Sequence, residues 1–192
     1  MKFFKLTFML LLLASLATYA QKKEVYANFP ETFESPDTSA KAHYKAETIK
    51  LKTGEWTLDY ALLGALVGHD RFNPTGKQSI RMQQNRSKPA YLSMNFDLNE
   101  GASKVTLQYA MYYKDAVSTW QLEYSTDGGN VWQTAGKEIT TETTDLKTAE
   151  FSLDLKGKGR FRINKLGLGD GKKDPSIKNG RLSIDDITIY KN

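Results

Sequence analysis

Apolar and polar residues change places at every second position through much of this chain. At 79–82, Ile80 and Met82 oppose Ser79 and Arg81. At 91–98, Leu92, Met94, Phe96 and Leu98 oppose Tyr91, Ser93, Asn95 and Asp97. The run 104–112 sets Val105, Leu107, Tyr109 and Met111 against Thr106, Gln108, Ala110 and Tyr112, and Trp120, Leu122 and Tyr124 alternate with Gln121, Glu123 and Ser125. Period two puts successive side chains on opposite faces of a strand, so each run predicts a strand with one greasy and one wet face. Shorter strands are predicted at 48–51, at 56–60, from 132 toward Ala135, around Phe151, Leu153 and Leu155, and at 160–166. The segment 24–34 reads as an opening strand interrupted at Pro30, and 61–68 as either a helical turn or a buried loop, because period does not decide at that length. The chain closes on an Ile-rich run, 181–190, whose composition predicts a central strand.

About ten short strands, separated by Gly/Pro/Asn/Asp turns and with no long amphipathic helix, predict an all-β fold: a two-sheet antiparallel β-sandwich of jelly-roll type. The alternation gives each sheet one face on the core and one in water.

Residues 1–20 carry Lys2 and Lys5 ahead of an apolar run and end in Thr18-Tyr19-Ala20, which predicts a secretory signal peptide cleaved after Ala20, with Ala17 as the alternative. The apolar run is too short to span a bilayer, and no cysteine follows it to take a lipid. The expected mature protein, 21–192, is one exported domain, secreted or periplasmic, with no membrane span of its own. It has no cysteine and must cohere by packing. The formal charge of +5 drops by two with Lys2 and Lys5, to a mild +3. Acids and bases alternate, and no clustered basic stripe or stacked-aromatic module argues for nucleic acid.

The stretch 124–132 joins two alternating runs through Asp127-Gly128-Gly129-Asn130, whose glycines suit a tight turn. Ser125, Asp127, Gly129 and Trp132 form the pattern Ser-x-Asp-x-Gly-x-x-Trp. It resembles the Asp-box of sialidases and other secreted β-proteins, a folding device, so these four residues are read as structural.

Phe33-Glu34, Trp56 after a glycine, the 120–132 hairpin, Arg160-Phe161-Arg162-Ile163 and Ile184-Asp185-Asp186-Ile187 together resemble the choice-of-anchor J modules of Bacteroidetes exported proteins, which are similar to MAM domains. The cysteines of MAM domains are missing. The resemblance implies a jelly roll used for adhesion or glycan binding, often with a structural cation.

Adjacent Asp185 and Asp186 conflict with a strand that buries every second residue: one of the two must face the apolar side unless a bulge intervenes. A buried carboxylate needs a cation or several donors. If the first and last strands are neighbours, Glu34 comes close to Asp186. Glu34, Asp185 and Asp186 are therefore candidate ligands for a structural Ca²⁺, backbone N–H groups or an arginine being the alternative. For a ligand, the wet face of one sheet is expected to carry Tyr91, Asn95, Gln108, Tyr112, Gln121 and Glu123, with Arg81, since sugars stack on aromatic rings while amides and carboxylates bond their hydroxyls. His69, Asp70 and Arg71 are a second, loop-borne candidate. No Gly-x-Ser-x-Gly elbow, zinc-ligand spacing or phosphate loop occurs. The expected function is a non-catalytic module for glycan or another cell-surface polymer. A protein–protein adhesion or assembly module is the alternative.

Overall fold

The computed structural model describes residues 24–192, so the expected signal peptide, 1–20, lies outside the described residues. Among the described residues eleven strands follow a single 3₁₀ turn: β1 Glu47–Lys50, β2 Glu55–Asp59, β3 Ala61–Gly64, β4 Ser79–Met82, β5 Ala90–Met94, β6 Ala102–Met111, β7 Ser118–Ser125, β8 Gln133–Thr141, β9 Lys147–Leu155, β10 Arg160–Lys165 and β11 Leu182–Tyr190. They form two antiparallel sheets, ordered β1-β2-β5-β10-β7-β8 and β3-β4-β11-β6-β9. This is the expected jelly-roll sandwich.

The apolar parity of each strand turns inward. Trp56 on β2 and Trp120 on β7 are wholly buried, and Phe33, Phe96, Tyr109 and Phe151 meet them edge-on at ring-centroid distances of 5.2–6.5 Å. That offset geometry is the favoured one for aromatic quadrupoles. As its isoleucines predicted, β11 lies in the middle of its sheet, between β4 and β6. The opening segment runs beside it in single bridges, Val25 with Tyr190 and Glu31 with Ile187.

Two expectations need correction. Residues 61–64 are a strand, and all four are buried. At Gly64 its outer side is covered by Asp70 of the loop 65–78, and the 3₁₀ turn also packs against the strand, so no wet positions mark a period. Gly64 is required there, because a Cβ would lie 2.5 Å from an Asp70 carboxylate oxygen. The second correction concerns order in space. Consecutive strands β5, β6 and β7 alternate between the two sheets. Equal parity in neighbouring runs therefore does not mean a shared face.

Candidate functional site

The outer face of the six-stranded sheet carries the best-defined polar and aromatic surface. On central β10, Asn164 stands opposite Tyr91 and Gln121, and Arg162 opposite Ser93 and Glu123. Inward-facing Phe161 and Ile163 force Arg160, Arg162 and Asn164 outward. The Arg162 guanidinium carbon lies 4.3 Å from the ring centroid of Tyr91 and 4.3 Å from that of Trp132, so one cation fixes two rings. Arg162 also pairs with Glu123, whose other oxygen accepts from Asn164 Nδ2 at 2.8 Å. Gln121 donates to the same carboxylate, and Asn95 ties the edge by donating to Thr57 Oγ1 at 2.8 Å and to Thr48 Oγ1 at 3.2 Å. Among the described residues Asn164 Oδ1 has no hydrogen-bond partner. The arrangement is rigid before any ligand arrives, which lowers the ordering cost of binding.

Of the seven residues expected on one face, Tyr91, Asn95, Gln121 and Glu123 share this one, whereas Arg81, Gln108 and Tyr112 lie on the five-stranded sheet or just past its strand β6. Tyr112 is 4% exposed, its ring between the guanidinium carbons of Arg81 at 4.7 Å and Arg181 at 3.8 Å. Arg81 is committed to Asp70, with Nε 2.7 Å from Oδ1 and a second, parallel bond from Nη2 to Oδ2. Gln108 stands opposite Asp185 and Thr148. Trp132, Arg162 and Asn164 enter the face unforeseen. The alternation of Arg160-Phe161-Arg162-Ile163 already put Arg162 on the wet side, and Trp132 was assigned only to its turn.

Ser125 Oγ accepts from Gly129 N at 2.9 Å, Asp127 Oδ1 accepts from the N–H of Asn130 and Val131 at 3.0 Å each, and Trp132 Nε1 donates to Gly129 O at 2.9 Å. Bonds from the Val131 N–H and the Ser125 hydroxyl hold the Asp127 carboxyl below its ordinary range. The turn thereby delivers the Trp132 ring to the face.

The acidic group lies on the other sheet. A bulge between Asp185 and Thr188, with Asp186 at φ 47°, lets Ile184 and Ile187 both face the core while Asp185 points outward under the loop 65–78. Asp185 accepts from Asn73 N at 2.7 Å and Asp186 N at 2.9 Å. Burial, with the nearby charges of Asp186 and Glu34, pushes its carboxyl up to about 7 despite those bonds. Glu34 accepts from Lys77 N, and Asp186 from Asn73 Nδ2 at 2.7 Å. Glu34 and Asp186 then line one hollow with Pro30, Thr32, Asn73, Thr75 and Gly76. Among the described residues none of these three carboxylates is in an ion pair, and no three His, Cys, Asp or Glu side chains meet as a ready-made metal cluster. Asp185 is thus capped by two backbone N–H groups.

His69 lies against Tyr113, ring centroids 4.2 Å apart, and its backbone N–H donates to Leu66 O at 3.0 Å, while Leu66, Val67 and Tyr113 themselves are exposed. Asp70, its neighbour, is buried against Arg81.

No protein-family model matches this chain, and no curated protein matches it. Its fold is similar to solved β-sandwiches of low sequence identity. The K2 cleaved adhesin domain of Lys-gingipain matches with a TM-score of 0.56 at 19% identity, covering 84% of this chain and 98% of that one. The CBM22-1 xylan-binding domain from Paenibacillus barcinonensis Xyn10C matches with a TM-score of 0.53 at 11% identity, covering 88% and 97%. At such identities the likeness establishes the architecture.

Proposed function

We propose that this protein is an exported, non-catalytic module, secreted or periplasmic, that binds glycan on the outer face of its six-stranded sheet. The observation that carries the reading is the pair of rings, Tyr91 and Trp132, held by one guanidinium among Asn95, Gln121, Glu123 and Asn164. Apolar sugar faces stack on such rings, and fixed amides and carboxylates bond the hydroxyls. A fold shared with a xylan-binding domain supports this use. On a glycan array the purified protein is expected to give hits that weaken about tenfold, a loss of ~1.4 kcal/mol, in Trp132→Ala and in Tyr91→Ala. Exposed Tyr113→Ala should leave them unchanged. Silence across the array would remove the reading.

A second reading, protein–protein adhesion, is favoured by the exposed apolar group of Leu66, Val67 and Tyr113, and by the fold shared with an adhesin domain. It expects a surface-protein partner lost in Val67→Asp.

We further propose that the acidic hollow takes Ca²⁺, with Glu34 and Asp186 as carboxylate ligands and oxygens of the surrounding loop completing the set. Carboxylates with no cationic side chain beside them suit a hard, oxygen-ligated ion. The chemistry it supplies is structural, tying the opening segment to β11. Adding calcium is expected to raise Tm and chelator to reverse it. A Tm indifferent to both overturns the site.

A further inference from the structure

The row Tyr91–Asn164–Gln121 is where the sheet hands over to two loops. The chain enters β5 from 83–89 and leaves β10 into 166–181. These loops are welded together: Gly169 N donates to Arg86 O at 2.8 Å, Asn179 Nδ2 to Arg86 O at 2.9 Å and to Gly169 O at 2.8 Å, and Gly171 N to Asn85 Oδ1 at 3.2 Å. Buried Asn179 also accepts from the ammonium of Lys165, so the assembly is anchored from beneath.

On this base stand Arg86, Lys88, Lys172, Lys173 and Lys178, and none is in an ion pair among the described residues. What marks them is their gathering on two mutually bonded loops, whereas Arg81, Arg160, Arg162 and Arg181 each hold a carboxylate. The two acids of the same loops, Asp170 and Asp174, are turned onto their own turns. Asp170 accepts from Lys172 N at 3.0 Å and Asp174 from Ser176 N at 2.9 Å. Arg86 lies over Tyr60, its guanidinium carbon 3.0 Å from the ring centroid, and among the described residues its buried Nε has no acceptor. The surface is therefore positive, unneutralised and fixed in shape, and it abuts one end of the proposed glycan face. The face itself is balanced, with Arg162 against Glu123 and Arg160 against Asp97.

We infer that the ligand is a polyanionic glycan, bearing carboxylate or sulfate groups, whose sugar rings lie on the Tyr91–Trp132 face while its anionic groups are held by the loops 83–89 and 166–180. The inference rests on the glycan-binding reading and names its substrate class. Neutral rings suit the balanced face, and anions suit the unpaired cations beside it.

The test measures binding of the purified protein to polygalacturonate, dextran sulfate, and the neutral galactan and dextran. At about 0.01 M salt, where the screening length is ~30 Å, at least one polyanion is expected to bind about tenfold tighter than its neutral counterpart. At about 1 M salt, with the length cut to ~3 Å, the advantage should vanish. The exposed triple variant Lys172→Gln/Lys173→Gln/Lys178→Gln should lose the preference while keeping the wild-type Tm, and Trp132→Ala should weaken both members of the pair. A preference for polygalacturonate over dextran sulfate would assign carboxylate, and the reverse sulfate. Equal affinity for charged and neutral chains, or a preference that survives the triple variant, overturns the inference and leaves the glycan face standing. Binding to duplex DNA as tight as to either polyanion, and untouched by Trp132→Ala, overturns it in favour of a nucleic-acid surface. No binding to any glycan brings down the face and the inference together.

Discussion

Asp70→Ala is expected to destabilise the fold by about 3–5 kcal/mol, because it leaves an arginine charge enclosed without its partner. The Asp70 side chain is wholly buried and that of Arg81 is 16% exposed. Asp70 makes two bonds to the guanidinium and a third with the N–H of Leu66, at 2.8 Å. Tyr112 stacks on the same guanidinium, so the loss spreads into the seam between the loop 65–78 and the sheet. Urea unfolding at unchanged m is the measurement, and for a domain of this size the midpoint temperature should fall by roughly 10 °C. Pairing Asp70→Leu with Arg81→Leu should recover much of the deficit, since two apolar groups carry no unpaid desolvation. A single variant within experimental error of wild type would show that water reaches Arg81 and that the seam is not closed.

That seam also shows where reading the sequence stops. Strand identity was legible wherever one side of a strand meets water. Trp120, Leu122 and their alternates announced β7, and the isoleucines of 181–190 announced a central β11. Where other segments cover an outer face, as Asp70 and the 3₁₀ turn do over Ala61–Gly64, both sides are apolar or buried and the period disappears. The bulge could be anticipated from the clash of two adjacent aspartates with a two-residue repeat. Which carboxylate it would rescue could not, because that depends on Asn73 arriving from a loop more than a hundred residues earlier. Site residues failed on topology: Tyr91 and Tyr112 share an outward parity, yet β5 and β6 belong to opposite sheets. Pairing order is set by tertiary packing, and no local pattern encodes it.

Asp185 should give the molecule an unusual slope of stability against pH. Its carboxyl is raised from 3.8 to about 7 in the folded state. Below about pH 4 both folded and unfolded chains hold this proton, and the group contributes no difference. Between about 4 and 7 the folded chain keeps the proton that the unfolded chain releases, so stability falls as pH rises, by roughly 4 kcal/mol at most, and the loss persists above 7. Asp97, lowered to about 2 by its bond from Arg160, costs stability only as pH falls through the acid range. Lys165, lowered by burial to about 7, adds stability as pH climbs above 7. Asp185→Asn keeps the shape and an oxygen for the Asn73 N–H but has no proton to release. Its amide nitrogen cannot accept from the Asp186 N–H, so it should start somewhat below wild type near pH 4, but its profile should stay flat from pH 4 to 7 where wild type falls, and the deficit should close or reverse as pH rises. A slope that survives the substitution would assign it to another group. Calcium provides the second arm: an ion between Glu34 and Asp186 would favour the charged form of Asp185 and flatten the wild-type slope, while leaving the Asp185→Asn profile flat. An unaltered wild-type slope in saturating calcium would place no ion in that hollow, and the backbone N–H groups of Asn73 and Asp186 would then be all that holds this carboxylate in place.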